Sequence, residues 1–144
     1  MRTLFREADV LPRMYNILVG VDEDEERAVA QGQEILDMPL DRSEVHVTIV
    51  HAFEDNPEGA SVTQVGSVRE IRELLEDAGI AVELEEAGAD PAAAITNFAD
   101  REEADLVVVA GRKRTPAGKV LFGSVTQGVI LGTRRPVLVC STAE

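Results

Sequence analysis

The sequence predicts a single α/β domain built on a five-stranded parallel sheet with helices on both faces. Short apolar runs alternate with stretches of helical spacing, the runs are rich in β-branched residues, and 44% of the chain is hydrophobic. Consecutive parallel strands need crossover connections, and these are right-handed. With 144 residues, the chain has the usual size of one domain.

The predicted strands are short runs of apolar residues. Residues 15–22 (YNILVGVD) and 105–111 (DLVVVAG) are apolar almost throughout, as strands buried on both faces are. Residues 44–53 (EVHVTIVHAF) are rich in β-branched side chains, which favour strands. Residues 80–87 (IAVELEEA) and 136–141 (PVLVCS) complete the set.

The predicted helices alternate with these strands. Residues 23–38 carry apolar side chains at helical spacing, and residues 64–79 do so on one face before a terminal glycine that is typical of a helix end. Residues 90–104 begin with an Asp-Pro pair, in which the aspartate caps the helix and the proline takes its first position. Residues 123–134 form a short last helix, and residues 54–63 form a loop with Asn, Pro and Gly.

The chain is strongly acidic, with a formal net charge of -13, 27 acidic residues and only two lysines among its 14 basic residues. Duplex DNA and anionic membranes are therefore excluded as general partners. The composition is similar to that of halophilic proteins, and at 1 M salt the Debye length is about 3 Å, so that charges act only in direct contact. No apolar run reaches the roughly 18 residues of a membrane helix and no secretory signal is recognisable, so we expect a cytoplasmic protein.

Positive charge is concentrated just after the fourth strand, where eight residues contain Arg112, Lys113, Arg114 and Lys119. Parallel sheets bind ligands outside the carboxyl ends of their strands, and this cluster begins there. The helix that starts at residue 123 follows with N–H groups and hydroxyls that suit phosphate. We expect a small phosphorylated ligand, ahead of a solvated loop without a ligand. RNA ranks third, since a chain with 3% aromatic residues offers few stacking side chains.

Several of these side chains also have simpler interpretations. Cys140 and His51 lie in apolar strands, so we expect core residues rather than a nucleophile and a metal ligand, and no metal site is predicted. Asp22 is explained equally well as the N-cap of the first helix. The same alternative applies to Ser124, which is explained as the N-cap of the last helix. Capping does not explain, however, why four cations precede that helix.

Five segments resemble the universal stress protein family: ILVGVD at the end of the first strand, VHAF at the end of the second, and VVVAG, FGSVTQ and RRPVLVC near the C-terminus. The resemblance covers Met14 to Cys140. It implies a flavodoxin-like three-layer sandwich, the fold of the adenine nucleotide alpha hydrolases, with strand order 3-2-1-4-5. It also implies ATP binding, as in many members but not all, and a homodimer through the last strand, Val137 to Cys140.

Nucleotide-binding members of that family carry glycine, two residues, glycine, nine residues, then glycine with serine or threonine. With one residue deleted, the first and last glycines match Gly111 and Gly123, but Lys113 or Arg114 stands at the second glycine. Gly118 matches no family position. The acid after the first strand implies contact with adenosine, although four further acids follow it. The residues expected to bind ATP, possibly with Mg²⁺, are Asp22, Ala52, Gly111, Arg112, Lys113, Arg114, Gly118, Gly123, Ser124, Val125 and Thr126.

Other functions of this fold class fit less well. A receiver domain needs an aspartate at the end of the third strand, where this chain has glutamate, and an adenylating enzyme needs a phosphate loop where this chain has VDEDEE. We therefore expect a nucleotide-binding stress-response protein with at most weak ATP hydrolysis. The alternative is a dimeric interaction module of the same family without nucleotide. Residues 1–13 are expected to be an extension of a domain that spans residues 14–144.

Overall fold

All five predicted strands and all four predicted helices are present in the protein, for which a computed structural model describes residues 13–52, 65–88, 90–111 and 122–141. The strands are β1 (Tyr15–Val21), β2 (Val45–Ala52), β3 (Ala81–Ala87), β4 (Leu106–Ala110) and β5 (Val137–Cys140). The helices are α1 (Glu25–Asp37), α2 (Gly66–Asp77), α3 (Pro91–Arg101) and α4 (Ser124–Gly132). A 3-10 turn at Arg42–Glu44 was not predicted, and it forms where Ser43 donates its N–H and Oγ–H to the Asp41 carboxylate.

The five strands form one parallel sheet of order β3-β2-β1-β4-β5, which confirms the predicted topology. Its centre is asymmetric. β1 pairs with β2 along its whole length, up to Val21, but with β4 only from Ile17 to Val19. Beyond Val19, β1 and β4 separate, and a crevice opens between the carboxyl ends of these two strands.

Helices cover both faces of the sheet, as predicted. α1 and α2 pack on one face and α3 and α4 on the other. Successive residues of β1 serve opposite faces, because side chains alternate along a strand: Ile17 and Val19 join the first cluster and Leu18 the second. Cys140 is buried in the first cluster, as expected of a core thiol, and burial together with the nearby Glu34 carboxylate raises its pKa to about 12. The thiol is therefore neutral at physiological pH.

The helix ends follow from identifiable capping groups. Asp24 caps α1 by accepting the Arg27 N–H at 2.9 Å, and Asp90 caps α3 by accepting the Ala93 N–H at 3.2 Å. α2 ends before Gly79, whose φ of +90° favours glycine. The predicted capping of α3 is therefore confirmed, whereas the alternative that Asp22 caps α1 is wrong, because the cap lies two residues later. None of the described helices is long and apolar enough to cross a membrane.

Candidate functional site

A cavity of about 90 Å³ lies where β1 and β4 separate. In open parallel sheets this reversal of strand order is the usual place for a ligand. The described lining comes from the ends of β1, β2 and β4 and from the start of α4. It consists of Gly20, Val21, Asp22, Val50, Val109, Ala110, Gly123, Ser124, Val125 and Thr126. We call residues 20–24 the β1–α1 wall, and residues 109–110 with 123–126 the β4–α4 wall.

The backbone of the β1–α1 wall is held by buried polar side chains. The Gln31 side chain donates from Nε2 to the Gly20 carbonyl at 2.9 Å, and His51 Nδ1 lies 2.8 Å from the Val21 carbonyl oxygen. Both side chains are fully buried. Because a carbonyl oxygen only accepts, the proton of this hydrogen bond belongs to His51 Nδ1. The prediction that His51 is a core residue is thus confirmed, with a specific role in fixing the end of β1.

Asp22 directly follows β1, and hydrogen bonds hold both its backbone and its side chain. Its carbonyl accepts the Ser67 hydroxyl at 2.6 Å. Its carboxylate accepts the Asp24 N–H on Oδ1 and the Arg27 Nε–H on Oδ2, both at 2.9 Å. The carboxylate of this lining residue therefore has a fixed orientation, while the side chain stays partly exposed to solvent.

The β4–α4 wall leaves hydrogen-bond donors at the start of a helix. The N-cap of α4 is Gly123, and no described side chain caps it. The first intrahelical bond runs from the Gln127 N–H to the Gly123 carbonyl at 3.0 Å, so the N–H groups of the preceding turn have no intrahelical acceptor. Ser124 is the first helical residue, so the alternative that its side chain caps α4 is wrong.

Thr126 has a different place from that of Ser124. Its side chain is buried, and its hydroxyl donates to the Ala110 carbonyl at 2.8 Å. The single hydroxyl proton is thereby used to join α4 to the end of β4. In this structure Thr126 offers the cavity its backbone N–H rather than the hydroxyl donor that the sequence suggested.

The structure brings together five of the residues expected to bind a ligand: Asp22, Gly123, Ser124, Val125 and Thr126. Gly111 is buried beside the cavity, where its N–H donates to the Cys140 carbonyl at 2.7 Å. Ala52 ends β2 and pairs with Ala87 of β3. The remaining residues expected to bind the ligand lie outside the described residues, namely Arg112, Lys113, Arg114 and Gly118. Lys119 of the basic cluster lies outside them as well.

Sequence analysis missed five lining residues, namely Gly20, Val21, Val50, Val109 and Ala110. They carry no polar side chain, so no chemical pattern marks them. Each lies within the last three residues of its strand, and counting back from the strand ends finds them. Gly20 has a packing reason as well, because a Cβ there would lie 2.7 Å from Ile95 Cδ1 on α3.

The acids after Asp22 do not gather around the cavity. Asp24 caps α1, and the Glu25 carboxylate lies against the first residue of α2, where a Cβ added to Gly66 would be 2.7 Å from Glu25 Oε2. Asp22 is the only acid in the described lining. No group of three potential metal-ligating side chains occurs among the described residues.

Known proteins share this sequence pattern and this fold. A 34% identical universal stress protein from Mycolicibacterium smegmatis matches over 80 residues, 55% of this chain and 62% of that protein. The chain covers less than two thirds of the length of the curated relatives it matches. A universal stress protein structure from Archaeoglobus fulgidus is 27% identical, with a TM-score of 0.62 over 87% of this chain and 97% of that one. Another structure from this organism, in complex with dAMP, is 25% identical, with a TM-score of 0.59 over 90% and 99%.

The family model agrees with these similarities. The model described as Universal stress protein family matches residues 14–141, which is nearly the whole described part of the chain. The chain belongs to the universal stress protein family.

Proposed function

We propose that this protein binds an adenine nucleotide in the cavity between β1 and β4, with ATP as the ligand expected from the sequence. The observation that carries the proposal is the start of α4, which no described side chain caps and which lines the same cavity as Asp22 at the point of strand-order reversal. A nucleotide offers the two complementary groups, an anionic phosphate and a nucleoside with hydroxyl and amino donors. The Archaeoglobus fulgidus structure with dAMP supports this class of ligand.

The two walls are assigned different parts of the nucleotide. Phosphate oxygens would accept from the N–H groups of Ser124, Val125 and Thr126, where the helix dipole also favours negative charge. The basic segment that includes Arg112 would close over the phosphates with charge-assisted hydrogen bonds. The nucleoside would lie toward Asp22 and the apolar ends of the strands. Mg²⁺, where ATP carries it, would bind through the phosphates.

We propose a binding role rather than efficient catalysis. Asp22 is the only titratable side chain in the described lining, and catalysis by proton transfer normally uses a positioned acid and base. The site can hold and orient a nucleotide without a nucleophile. Any hydrolysis of ATP would then be slow, and the conformational consequence of binding would be the signal.

The test is calorimetry of the natural protein with AMP and with ATP and Mg²⁺, in molar KCl. We expect saturable binding of both. Because a charge-assisted hydrogen bond contributes about 1.5–3 kcal/mol, Arg112→Ala should weaken ATP binding roughly tenfold or more. Ser43→Ala, in the exposed turn before β2, is the control and should bind normally. A folded natural protein with no heat and no thermal shift at millimolar nucleotide would contradict the proposal.

In that case the second candidate function applies, a dimeric interaction module without nucleotide. One observation favours it: Lys113 or Arg114 stands where the nucleotide-binding members have their second glycine. A dimer through β5 is part of both proposals, since β5 is an edge strand of the sheet and edge strands tend to pair. Light scattering at micromolar concentration would give twice the 15.6 kDa mass of one chain, and the monomer mass would contradict the dimer.

Two further expectations complete the proposal. The acidic surface would suit a halophilic cytoplasm, and thermal stability that rises with KCl up to molar concentration would support this. Residues 1–13 would form an extension of the domain that spans residues 14–144. Deleting them should leave the unfolding temperature nearly unchanged.

A further inference from the structure

A single arginine joins the carboxylates on the acidic side of the cavity. Arg27 Nε donates to Asp22 Oδ2 at 2.9 Å, and Arg27 Nη1 lies 3.6 Å from Asp24 Oδ2. The Arg27 side chain is 21% exposed and the Asp22 side chain 46%, so the arginine is shielded from solvent while the carboxylate is only partly so. One guanidinium thus contacts both the carboxylate of Asp22, a residue that lines the cavity, and the carboxylate that caps α1.

Arg27 is the basic residue of an otherwise acidic stretch of sequence. Residues 22–37 contain seven acidic residues, and Arg27 is the only basic residue among them. A ligand that carries phosphate charge in the cavity would meet Asp22 as the nearest fixed negative charge of the β1–α1 wall. With Arg27 in place, much of that charge is compensated by a direct contact.

We infer that Arg27 determines how many phosphate charges the site accepts, by compensating Asp22 and fixing its carboxylate. The inference rests on the proposed nucleotide binding and adds a residue that discriminates between ligands by charge. Arg27 lies behind Asp22 and acts through it, so it is a positioning residue and not a contact to the ligand. The repulsion between an uncompensated Asp22 and the ligand should grow with ligand charge, because Coulomb energy is proportional to the product of the charges.

The experiment compares ligands that share adenosine and differ in charge. Adenosine, AMP and ATP are titrated without Mg²⁺ into the natural protein and into Arg27→Gln, which keeps hydrogen-bond donors but removes the charge. We expect adenosine affinity within about twofold of that of the natural protein, AMP weakened about threefold and ATP about tenfold, magnitudes typical of one charge acting across a solvated cavity. Arg27→Lys should restore most of the AMP and ATP affinity.

The control is Arg72→Gln, which makes the same change of charge on α2, where Arg72 pairs with Glu76 at 3.4 Å. It should leave all three affinities unchanged. The charge-dependent loss in Arg27→Gln should also shrink as KCl is raised, because salt screens partly exposed charges. Thermal unfolding of each variant shows whether it is folded during the titrations.

Each remaining outcome counts against the inference. Equal losses for adenosine, AMP and ATP would show that Arg27 only maintains the structure of the wall, and Arg27→Lys would then fail to restore the ATP affinity selectively. Equal effects of Arg72→Gln would assign the loss to total charge. These results overturn the inference alone, whereas a natural protein that binds none of the three ligands overturns the proposed nucleotide binding as well.

Discussion

The β1–α1 wall and the β4–α4 wall face each other across one cavity, but they satisfy their backbone groups in opposite ways. Three successive carbonyls at the end of β1, those of Gly20, Val21 and Asp22, each accept a hydrogen bond from a buried side chain. The next turn is capped by Asp24. The three carbonyls of this wall therefore have partners within the protein.

The β4–α4 wall depends on packing, and among the described residues no side chain accepts from the first N–H groups of α4. Thr126 is the side chain that joins the described part of this wall to the end of β4, and α4 begins at a glycine that no side chain within residues 13–52, 65–88, 90–111 and 122–141 caps. Close packing against α3 holds α4 in place, as the short distance between Gly128 of α4 and Ala92 of α3 shows. In one wall the backbone carbonyls are paired within the protein, whereas the described part of the other presents helix N–H groups of the kind that the proposed phosphate ligand requires.

The largest effect should come from disturbing the packing of the β4–α4 wall. A methyl added at Gly128 would lie 2.6 Å from Ala92 Cβ, so in Gly128→Ala the two helices must move apart. Because Ala92 Cβ is fixed to the backbone of α3 and cannot rotate away, the cost should reach or exceed about 3 kcal/mol, the upper end of the usual range for overpacking, against a gain of up to about 1 kcal/mol from helix propensity. Urea unfolding should show a net loss of stability.

Gly132→Ala on the same helix is the control for this variant. The methyl there would be 3.6 Å from Thr96 Cγ2, an ordinary contact, so the variant should be neutral or slightly more stable. If Gly128→Ala behaves like Gly132→Ala, then close helix packing does not place this wall.

The next effect should come from the buried hydroxyls, one on each side of the cavity. Ser67→Ala leaves the Asp22 carbonyl without this donor, and Thr126→Val does the same at the Ala110 carbonyl. A buried polar group without its partner costs about 1–3 kcal/mol, and urea unfolding should show a loss in this range for both. Ser43→Ala, which removes an exposed hydroxyl, should stay within about 0.5 kcal/mol of the natural protein. A Ser67→Ala variant as stable as Ser43→Ala would contradict the claim that the β1–α1 wall is held by its hydrogen bonds.

A smaller loss should follow removal of the cap from the β1–α1 wall. Asp24→Ala should cost about 1 kcal/mol, the usual value of an N-cap carboxylate. Asp90→Ala removes the same kind of cap from α3, which makes it a matched control. A greater cost for Asp24→Ala than for Asp90→Ala would measure the added contact with Arg27, and thermal unfolding of the two variants gives this difference. A cost below that of Asp90→Ala would contradict the described geometry.

The smallest effect on stability, but a large effect on binding, should come from adding a cap to the β4–α4 wall. In Gly123→Asp a carboxylate would occupy the N-cap position of α4, where aspartate is favoured over glycine by a few tenths of a kcal/mol. The same carboxylate would compete with phosphate for the N–H groups. Calorimetry should therefore find a stable protein with strongly weakened AMP binding. A variant that binds AMP normally would show that the start of α4 is not the phosphate site.

The sequence predicted the sheet well because buried parallel strands are continuous apolar runs, as in VVVA of β4. It predicted the start of α3 for a similar reason, since one Asp-Pro pair marks it. The start of α1 was harder, because several consecutive acids offer the same capping group and only the chain path selects Asp24. The roles of Gln31 and Ser67 were out of reach, since each acts on a carbonyl distant in sequence.

The most direct test of the contrast between the walls is an amide NMR titration with AMP and, separately, with adenosine. We expect AMP to shift the amide signals of Ser124, Val125 and Thr126 strongly and adenosine to leave them nearly unchanged, because only AMP carries phosphate oxygens that accept hydrogen bonds from these N–H groups. The signals of residues 20–22 should respond to both ligands, and only slightly, because their backbone is already fixed. AMP binding that leaves the Ser124 to Thr126 amides unchanged, or that shifts them no more than adenosine does, would contradict the account.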